Sequence, residues 1–365
     1  MDIETRLALI RGVAEEIITP EELRSLLEQK AHPVAYDGFE PSGLAHLPFG
    51  VYRPLLLKDL LKAGVKFKLF LADWHAALNH KMGGSLEAIR QVGDYFVEVW
   101  KAAGVDLEKV QVVWASDLCT RREYWERVIR VAKHTSVLRA TRALSIMGRR
   151  EGELLEVAQY FYPAMQVADI FELGVDITQL GMDQRRANIL AREVAEKLGW
   201  AKPVVVSHHM LTGLQGQAEP DAAQVYDDNA QVSRQIAAKM SKSRPQSAIF
   251  VHDSLQEIEQ KLQGAFCPPK QVEGNPILDY AKEIVFRAQK ELVLERPAKY
   301  GGELAFSSAA DLEEAYRKGE VHPLDLKKAV ALAVDQRVAP IRAHFEKQKR
   351  AKELLAQVRA HQVTR

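Results

Sequence analysis

Apolar positions follow two alternating patterns along the first two thirds of the chain. Short apolar runs, typical of buried strands, occur at 33–36, 67–72, 110–115, 175–180 and 204–206. Between them, apolar residues recur at helical spacing in 20–27, 55–61, 86–103 and 183–198. Strands that alternate with helices predict an α/β domain with a parallel, Rossmann-like sheet covered on both faces.

Beyond about residue 253 only the helical pattern remains. Apolar residues keep helical spacing in 255–258, 277–293, 312–316 and 324–334. We therefore predict two domains: an α/β domain over 1–252, with a helical insertion at about 117–160, and an α-helical domain over 253–365. A polar, turn-rich stretch at 215–229 predicts a mobile flap, within a long loop that we expect to continue to 238.

Composition indicates a water-soluble globular protein. Of the 365 residues, 47% are hydrophobic and 27% are charged. No uncharged apolar run reaches the ~18 residues of a membrane helix, and the first residues, MDIETRLALIRG, lack an apolar signal core. Cys119 and Cys267 give neither a disulfide framework nor a zinc spacing, so we expect a cytoplasmic protein without a metal site.

The charge is balanced overall but uneven along the chain. The net charge is +1, yet 121–150 holds nine Lys and Arg against two Glu, and 342–365 holds seven against two. Two basic segments on a neutral chain are consistent with local contact to a polyanion. Solvated helix faces are the alternative interpretation.

Two polar loops carry the chemistry. The segment 239–243, KMSKS, places two ammonium groups and two hydroxyls within five residues, a set suited to a polyphosphate. The loop 37–46 contains Gly38, Gly43 and His46, and it matches neither the Walker nor the dinucleotide fingerprint. Since ligands bind beyond the carboxyl ends of parallel strands, the loops after Ala35, Ala72 and Val206 are expected at one rim.

Together these loops resemble the signature loops of class I aminoacyl-tRNA synthetases, with the closer match to tyrosyl-tRNA synthetases of the archaeal and eukaryotic type. The resemblance covers nearly the whole chain. Its further segments are ADWHA at 72–76, YPAMQVAD at 162–169, GMDQRR at 181–186, FCP at 266–268, EGNP at 273–276 and HPLDLK at 322–327. It implies a Rossmann-like catalytic domain, followed by an α-helical anticodon-binding domain.

The resemblance also implies a tyrosine site. Tyr36 and Asp169 are expected to hydrogen-bond the substrate phenol, while its amino group and backbone are held by Tyr162, Gln166 and Gln184. The residues agree with this assignment, because positions 162, 166 and 169 share one face of a helix. A polar far wall rejects phenylalanine, since its groups would be desolvated without a partner.

For ATP, the resemblance implies that His46 contacts the phosphates and that Lys239 and Lys242 close over the leaving pyrophosphate. The remaining residues expected to bind ATP are Gly38, Glu40, Met210 and Ser241. Magnesium is expected to arrive with ATP, held mainly by its phosphates. His75 is expected on the pocket rim, or as a packed core histidine.

The first signature loop departs from the family pattern. The usual His-x-Gly-His is replaced here by His46-Leu47-Pro48-Phe49, followed by Gly50. The second histidine is therefore missing. This change suggests a rival reading, a tRNA-binding paralogue without adenylation activity, although both lysines of the second loop argue against it.

For tRNA(Tyr), the resemblance implies that Arg185 reads the first acceptor base pair and that Arg139 and Arg142 face the same stem. A phosphate contact or a surface ion pair is the alternative for each arginine. The anticodon-side residues are expected to be Cys267, Tyr300, His322 and Asp325. The family pattern also implies a homodimer joined near the insertion, where 118–137 offers apolar residues. Tryptophanyl-tRNA synthetase and a generic nucleotidyltransferase remain alternative functions.

Overall fold

A six-stranded sheet organises the first part of the chain. The computed structural model describes residues 1–148, 156–216, 226–242 and 245–362. The strands are β1 (Glu16–Ile18), β2 (Val34–Phe39), β3 (Lys66–Leu71), β4 (Val110–Trp114), β5 (Ile177–Thr178) and β6 (Val204–Ser207). Their order is β1-β6-β5-β2-β3-β4, with β1 antiparallel to β6 and the other pairs parallel. The predicted parallel sheet is confirmed, whereas the short edge strand β1 was not predicted.

Strand β2 is longer than its apolar run indicated. The sequence predicts a loop from Asp37, but Gly38 pairs with Phe70 and Phe39 pairs with Leu71 of β3. The Asp37 carboxylate is buried in the sheet. Its burial is tolerated because it forms an ion pair of 2.6 Å with Arg53. Strand β2 therefore ends at Phe39, three residues beyond the end at Tyr36 that the sequence predicts.

Helices cover the sheet as predicted. They are α1 (Ile3–Gly12), α2 (Pro20–Gln29), α3 (Arg53–Lys62), α4 (Asp73–Leu78), α5 (Leu86–Ala102), α6 (Ala115–Cys119), α7 (Arg122–Lys133), α8 (Val137–Ala143), α9 (Phe161–Glu172), α10 (Arg185–Leu198) and α11 (Ala230–Ala238). The Thr19 hydroxyl accepts a 3.2 Å hydrogen bond from the Glu22 amide, which begins α2 with a capping box. The expected insertion is helical in α6 to α8.

Helix α11 corrects the expected loop between 215 and 238. The last nine residues of that stretch form the helix, and Asn229 caps its start, since its side chain accepts hydrogen bonds from the Gln231 and Val232 amides. Val232 and Ile236 pack with Met182, and this burial stabilises a helix that its weak apolar pattern does not reveal. Most of the expected flap, 217–225, lies outside the described residues.

The second part of the chain is mainly helical. Its helices are α12 (Leu255–Gln263), α13 (Pro276–Tyr280), α14 (Phe286–Ala288), α15 (Ala309–Lys318), α16 (Pro323–Lys347) and α17 (Lys349–Gln362). The expected helix over 277–293 is wrong at its end, since 292–294 forms strand β7 (Leu292–Leu294), paired with β8 (Leu304–Phe306) in a hairpin. Helix α16 also runs past the predicted end at 334 and continues through Pro340.

The two predicted domains share packing at their junction. Phe345 of α16 lies 5.3 Å from Tyr95 of α5, ring centroid to ring centroid, and both side chains belong to one buried cluster. His344 lies 2.7 Å from Glu98 on the same face of α5. The boundary at 252/253 stays a prediction. Across the described ranges, no helix is both long and apolar enough to cross a bilayer.

Candidate active site

A cavity of about 760 Å³ opens at the carboxyl edge of the parallel sheet. Its walls come from β2 and the loop after it, from α4 and α9, and from the segment after α11. It brings together the residues expected for the amino acid and for ATP: Tyr36, Gly38, Glu40, His46, His75, Tyr162, Gln166, Asp169, Gln184, Met210, Lys239, Ser241 and Lys242. The tertiary structure therefore unites segments more than 200 residues apart.

The deep wall of the cavity is polar. Asp169 of α9 is buried, and its Oδ1 accepts a 2.9 Å hydrogen bond from the Tyr124 hydroxyl. Among the described residues the buried Tyr36 hydroxyl has no hydrogen-bond partner. Burial and the nearby Asp169 carboxylate raise the pKa of Tyr36, so its phenol stays protonated. A buried hydroxyl without a partner is costly, which indicates a place for a ligand hydroxyl.

His75 lies at the deep wall rather than on the rim. It is 2% exposed, and its Nε2 lies 3.1 Å from Asp169 Oδ2. Burial disfavours the charged imidazole, but the carboxylates of Asp169, Glu40 and Asp73 together outweigh burial and raise the pKa of His75. Of the two positions expected for His75, the buried one fits the structure, where the ring packs edge-on against Phe70 with the centroids 6.2 Å apart.

The side wall is a hydrogen-bonded array. The Tyr162 hydroxyl donates to Glu40 Oε1 at 2.7 Å, and Asn79 Nδ2 donates to the same carboxylate at 3.0 Å. Gln166 Nε2 donates to Gln184 Oε1 at 3.0 Å. These groups form a carboxylate and amide surface that suits an ammonium and a backbone carboxylate.

The mouth of the cavity is cationic. Lys239 follows α11, and its Nζ lies 2.5 Å from Asp183 Oδ2. Lys242 Nζ donates to Ser42 Oγ at 2.7 Å. Burial and the charge of Lys81 lower the pKa of Lys242 to about 7, although Glu40 opposes this shift. Ser243 lies outside the described residues.

His46 faces this mouth as a neutral ring. Burial, together with the charges of Lys242 and Lys239, lowers its pKa well below the usual histidine value. Its Nδ1 is buried without a hydrogen-bond partner among the described residues. The backbone of His46 pairs with Phe250 in a single antiparallel bridge, which fixes the loop. A neutral imidazole can donate one hydrogen bond to a phosphoryl oxygen.

The altered signature places an aromatic ring where the second histidine stands in the family pattern. Pro48 begins a π-helical turn, Pro48–Tyr52, that leads into α3. Phe49 within it is buried and packs on Phe96 of α5, with centroids 4.1 Å apart. Gly43 adopts a φ of 87°, a left-handed conformation that favours glycine and turns the loop toward the mouth.

Several site residues were not predicted from the sequence. Arg53 neutralises Asp37, Tyr124 holds Asp169, and Asp183 pairs with Lys239. Asp183 lies inside the matched segment 181–186, so its place in that segment was a usable signal. Tyr124 and Phe96 had no signal, since each reaches the site only through a helix packed from elsewhere.

A second cavity, of about 490 Å³, lies between α8 and α10. It brings together Arg139, Arg142 and Arg185, as the sequence predicted, and adds Arg186. Arginines of this cleft already form ion pairs with carboxylates of the protein. Arg185 Nε lies 2.9 Å from Glu16, and Arg139 Nε lies 3.0 Å from Glu193. A polyanion entering this cleft therefore competes with the protein's own carboxylates.

The residues expected to contact the anticodon lie in the helical part. His322 begins α16, and its Nδ1 accepts a 3.2 Å hydrogen bond from the Leu324 amide. Asp325 lies in the first turn of the same helix. Cys267 Sγ lies 3.1 Å from the Tyr316 hydroxyl. The side chain of Tyr300 lies outside the described residues.

Comparisons with known proteins agree with this arrangement. A Rossmann-like sheet, a polar pocket at its carboxyl edge and a lysine segment over the mouth define a class I aminoacyl-tRNA synthetase. The family model described as "tRNA synthetases class I (W and Y)" matches residues 28–234 and 231–339. Within that class, the chain belongs to the tyrosyl-tRNA synthetase family, as its relatives show.

Those relatives match almost from end to end. Tyrosine--tRNA ligase 1, cytoplasmic, of Arabidopsis thaliana is 44% identical over 100% of this chain and 90% of its own length. Tyrosine--tRNA ligase of Thermococcus kodakarensis is 43% identical over 98% of this chain and 99% of its own. The crystal structure of the Pyrococcus horikoshii tyrosyl-tRNA synthetase complexed with L-tyrosine superposes with a TM-score of 0.89, at 41% identity, covering 99% of this chain and 100% of that one.

Proposed function

We propose that this chain activates L-tyrosine with ATP and transfers it to the 3′ end of tRNA(Tyr). The observation that carries the proposal is the deep wall, where the Tyr36 hydroxyl, which has no hydrogen-bond partner in the described part of the chain, lies with the buried Asp169 carboxylate. A phenolic hydroxyl satisfies both groups, because it accepts from one and donates to the other. An indole N–H can only donate, so tryptophan leaves one of them without a partner.

The activation step needs no nucleophile from the protein. The tyrosine carboxylate oxygen attacks the α-phosphorus of ATP, a new O–P bond forms, and the bond to the pyrophosphate oxygen breaks. Lys239 and Lys242 stabilise the charge on the departing pyrophosphate, and neutral His46 donates to a phosphoryl oxygen. Gly38, Glu40, Met210 and Ser241 line the remaining space assigned to ATP. The protein therefore contributes position and electrostatics.

Magnesium enters this scheme with the nucleotide. Within the described ranges, no three or more His, Cys, Asp and Glu side chains are grouped so as to hold a metal ion. Mg²⁺ commonly keeps several waters and binds through substrate phosphates, so ATP supplies its ligands here. When bound, the ion neutralises phosphate charge. Lys239 and Lys242 supply the fixed cations of the protein at the same mouth.

A pyrophosphate exchange assay tests the proposal. Purified protein with ATP and labelled pyrophosphate should form labelled ATP when tyrosine is present, and far less with tryptophan or phenylalanine. Charging of a tRNA(Tyr) transcript should follow. Binding of the transcript without exchange would instead support a tRNA-binding paralogue, and exchange with tryptophan alone would identify the sister enzyme.

The basic cleft is proposed to hold the acceptor stem. We expect Arg185→Ala to lower kcat/KM for tRNA charging about 10- to 100-fold, corresponding to the loss of one base-contacting arginine. Tyrosine-dependent pyrophosphate exchange should stay unchanged, because Arg185 does not line the active-site cavity. Steady-state charging and exchange assays on the same preparation measure both.

A matched control lies on the same helix. Arg192 of α10 pairs with Glu22 at 2.8 Å and does not line the cleft. Arg192→Ala removes an equivalent arginine–carboxylate pair and should leave charging near the wild-type rate. Equal losses in the two variants would mean that Arg185 acts through fold stability and not on tRNA.

We also propose a homodimer joined through an exposed apolar face near the insertion. Seven large apolar residues between 125 and 161 are each at least 40% exposed, namely Trp125, Ile129, Val137, Leu138, Val157, Tyr160 and Phe161. Exposed apolar surface in one part of a protein is typical of an interface. It includes α7, where the sequence predicted the contact.

A charge placed on this face should separate the subunits. We expect the wild-type chain of 41.0 kDa to elute at twice that mass, and Ile129→Asp to elute as a monomer, because a carboxylate buried in an apolar interface is unpaired. Light scattering after size exclusion measures both. Leu324→Asp is the control, since Leu324 is 57% exposed but lies in the helical part. A monomeric wild type would contradict the proposal.

The compartment proposed is the cytoplasm. Cys119 and Cys267 are both free thiols. Cysteines normally stay unpaired in a reducing compartment. The Arabidopsis relative carries the word cytoplasmic in its name. Cell fractionation with an antibody to the native chain tests this assignment.

A further inference from the structure

The ammonium of Lys242 rests on an aromatic ring at the mouth of the active site. Its Nζ lies 5.0 Å from the centroid of Phe96, over the ring, and 2.7 Å from Ser42 Oγ. Phe96 belongs to α5 and is 1% exposed. A ring face at this distance attracts an ammonium through its quadrupole, and more strongly where water is excluded.

The Phe96 ring is itself held in place. Phe49 packs against it at 4.1 Å with an interplanar angle of 36°. Trp100 lies 5.0 Å from Phe49, and Phe39 lies 5.1 Å from Phe49 on another side, ring centroid to ring centroid. Closely packed rings of this kind have few alternative rotamers. The support under Lys242 is therefore rigid.

The ring under Lys242 depends on the altered signature loop. Phe49 occupies the position where the family pattern has its second histidine, and that position now carries no polar group. The substitution provides a buried aromatic ring that packs on Phe96, and both rings line the cavity. Both the nucleotide loop and the lysine segment thus meet at one aromatic cluster.

We propose that Phe96 is a positioning residue for Lys242, holding the ammonium over the mouth in the place where it meets the phosphates of ATP, with Phe49 as its backing. The inference rests on the proposed function, because Lys242 acts on the diphosphate that leaves during adenylation. Ser42 and the ring together fix the end of a long, flexible side chain before ATP arrives. Such preorganisation removes an entropy cost from the transition state.

Charge supports the same role. The charged or titratable groups that act on Lys242 or share its part of the cavity are Lys81, Glu40, His46, Lys239 and His361. Burial and Lys81 lower the pKa of Lys242 to about 7, so its cationic form is poorly supported by its surroundings. The ring face favours the cation, and its removal lowers the pKa further.

Replacing the ring tests the inference. Phe96→Leu keeps an apolar side chain but removes the π face, whereas Phe96→Tyr keeps the face. We expect kcat for tyrosine-dependent exchange to fall about 10-fold in Phe96→Leu, a change of about 1.4 kcal/mol in barrier height. Tyrosine affinity, measured by equilibrium titration, should stay within about twofold of the wild-type value. Phe96→Tyr should retain most of the wild-type rate.

A second measurement separates positioning from packing. The pH profile of kcat/KM for ATP reports groups of the free enzyme, and in the wild type it should fall as pH rises through about 7, when Lys242 loses its proton. In Phe96→Leu this falling limb should move to lower pH. Phe345→Leu is the control, because Phe345 is 2% exposed in the same buried cluster and no ammonium of the described residues lies over its ring.

The outcomes are distinct. A wild-type rate in Phe96→Leu overturns the inference. Equal losses in Phe96→Leu and Phe345→Leu, with an unmoved pH limb, also overturn it, since packing alone would then explain the effect. Absence of exchange in the wild-type protein overturns the proposed function and, with it, this role for Phe96.

Discussion

Lys242→Ala should lower kcat for tyrosine-dependent pyrophosphate exchange by about 100- to 1,000-fold, the scale expected when one fixed group that stabilises transition-state charge is removed. Ser42 Oγ, 2.7 Å away, holds the ammonium at the cavity mouth. The side chain of an alanine is too short to reach this position. The effect belongs to the transition state, because charge builds up on the departing pyrophosphate only as the bond breaks.

Tyrosine binding separates this role from a general defect. The Kd for tyrosine should change less than about twofold in Lys242→Ala, since the deep wall is untouched. Lys261→Ala is a matched control, because Lys261 also lies 5.0 Å from a phenylalanine ring, that of Phe250, and also has a polar partner, Asp253. That variant should exchange at the wild-type rate. A collapse of tyrosine affinity in Lys242→Ala would remove the lysine from its proposed role.

Asp169→Asn should lower kcat/KM for tyrosine about 10- to 100-fold while leaving the weak activity with phenylalanine nearly unchanged. In the proposed function this carboxylate accepts from the substrate phenol, and hydrogen bonds to a charged group contribute about 1.5–3 kcal/mol. Its neutral replacement also presents a donor toward Tyr124 or His75, which both approach the carboxylate in the wild type. Exchange assays with the two amino acids give the ratio directly.

Selectivity is the decisive readout for Asp169. Equal losses for tyrosine and phenylalanine would place Asp169 outside the phenol site and leave it a structural role only. Asp176→Asn serves as the control, since Asp176 also accepts hydrogen bonds, from Lys30 and from the Val34 amide, but lies outside the cavity. This variant should keep the wild-type preference for tyrosine. A thermal melt of each variant checks that the fold is retained.

Much of the fold followed from local pattern. The parallel strands and most helices were predicted because buried strands and amphipathic helices differ in period, and Thr19 begins α2 with a capping box as expected. Two of the errors fall where strand pairing decides structure. Strand β1 has three half-buried residues, and β7 and β8 depend on each other, so neither case has a local signal.

The site was predicted in its members more than in its arrangement. The matched segments named the residues that line the cavity, including Asp183, whose partner could not be read from the segment. His75 was expected either at the rim or as a packed core histidine, and only the tertiary structure decided between them, because the direction of its ring depends on how α4 packs. Phe96 and Tyr124 were not predicted, since a buried aromatic residue in a helix normally indicates core.

The chain by itself determined the alternation of strands and helices, the family, and the identity of the charged and polar groups available for chemistry. These depend on residue type and spacing, which a linear sequence contains. Only the tertiary structure decided which groups are paired, buried or left without a partner. Burial and neighbouring charge set the protonation of Tyr36, His46 and Lys242, and both depend on distances across the fold.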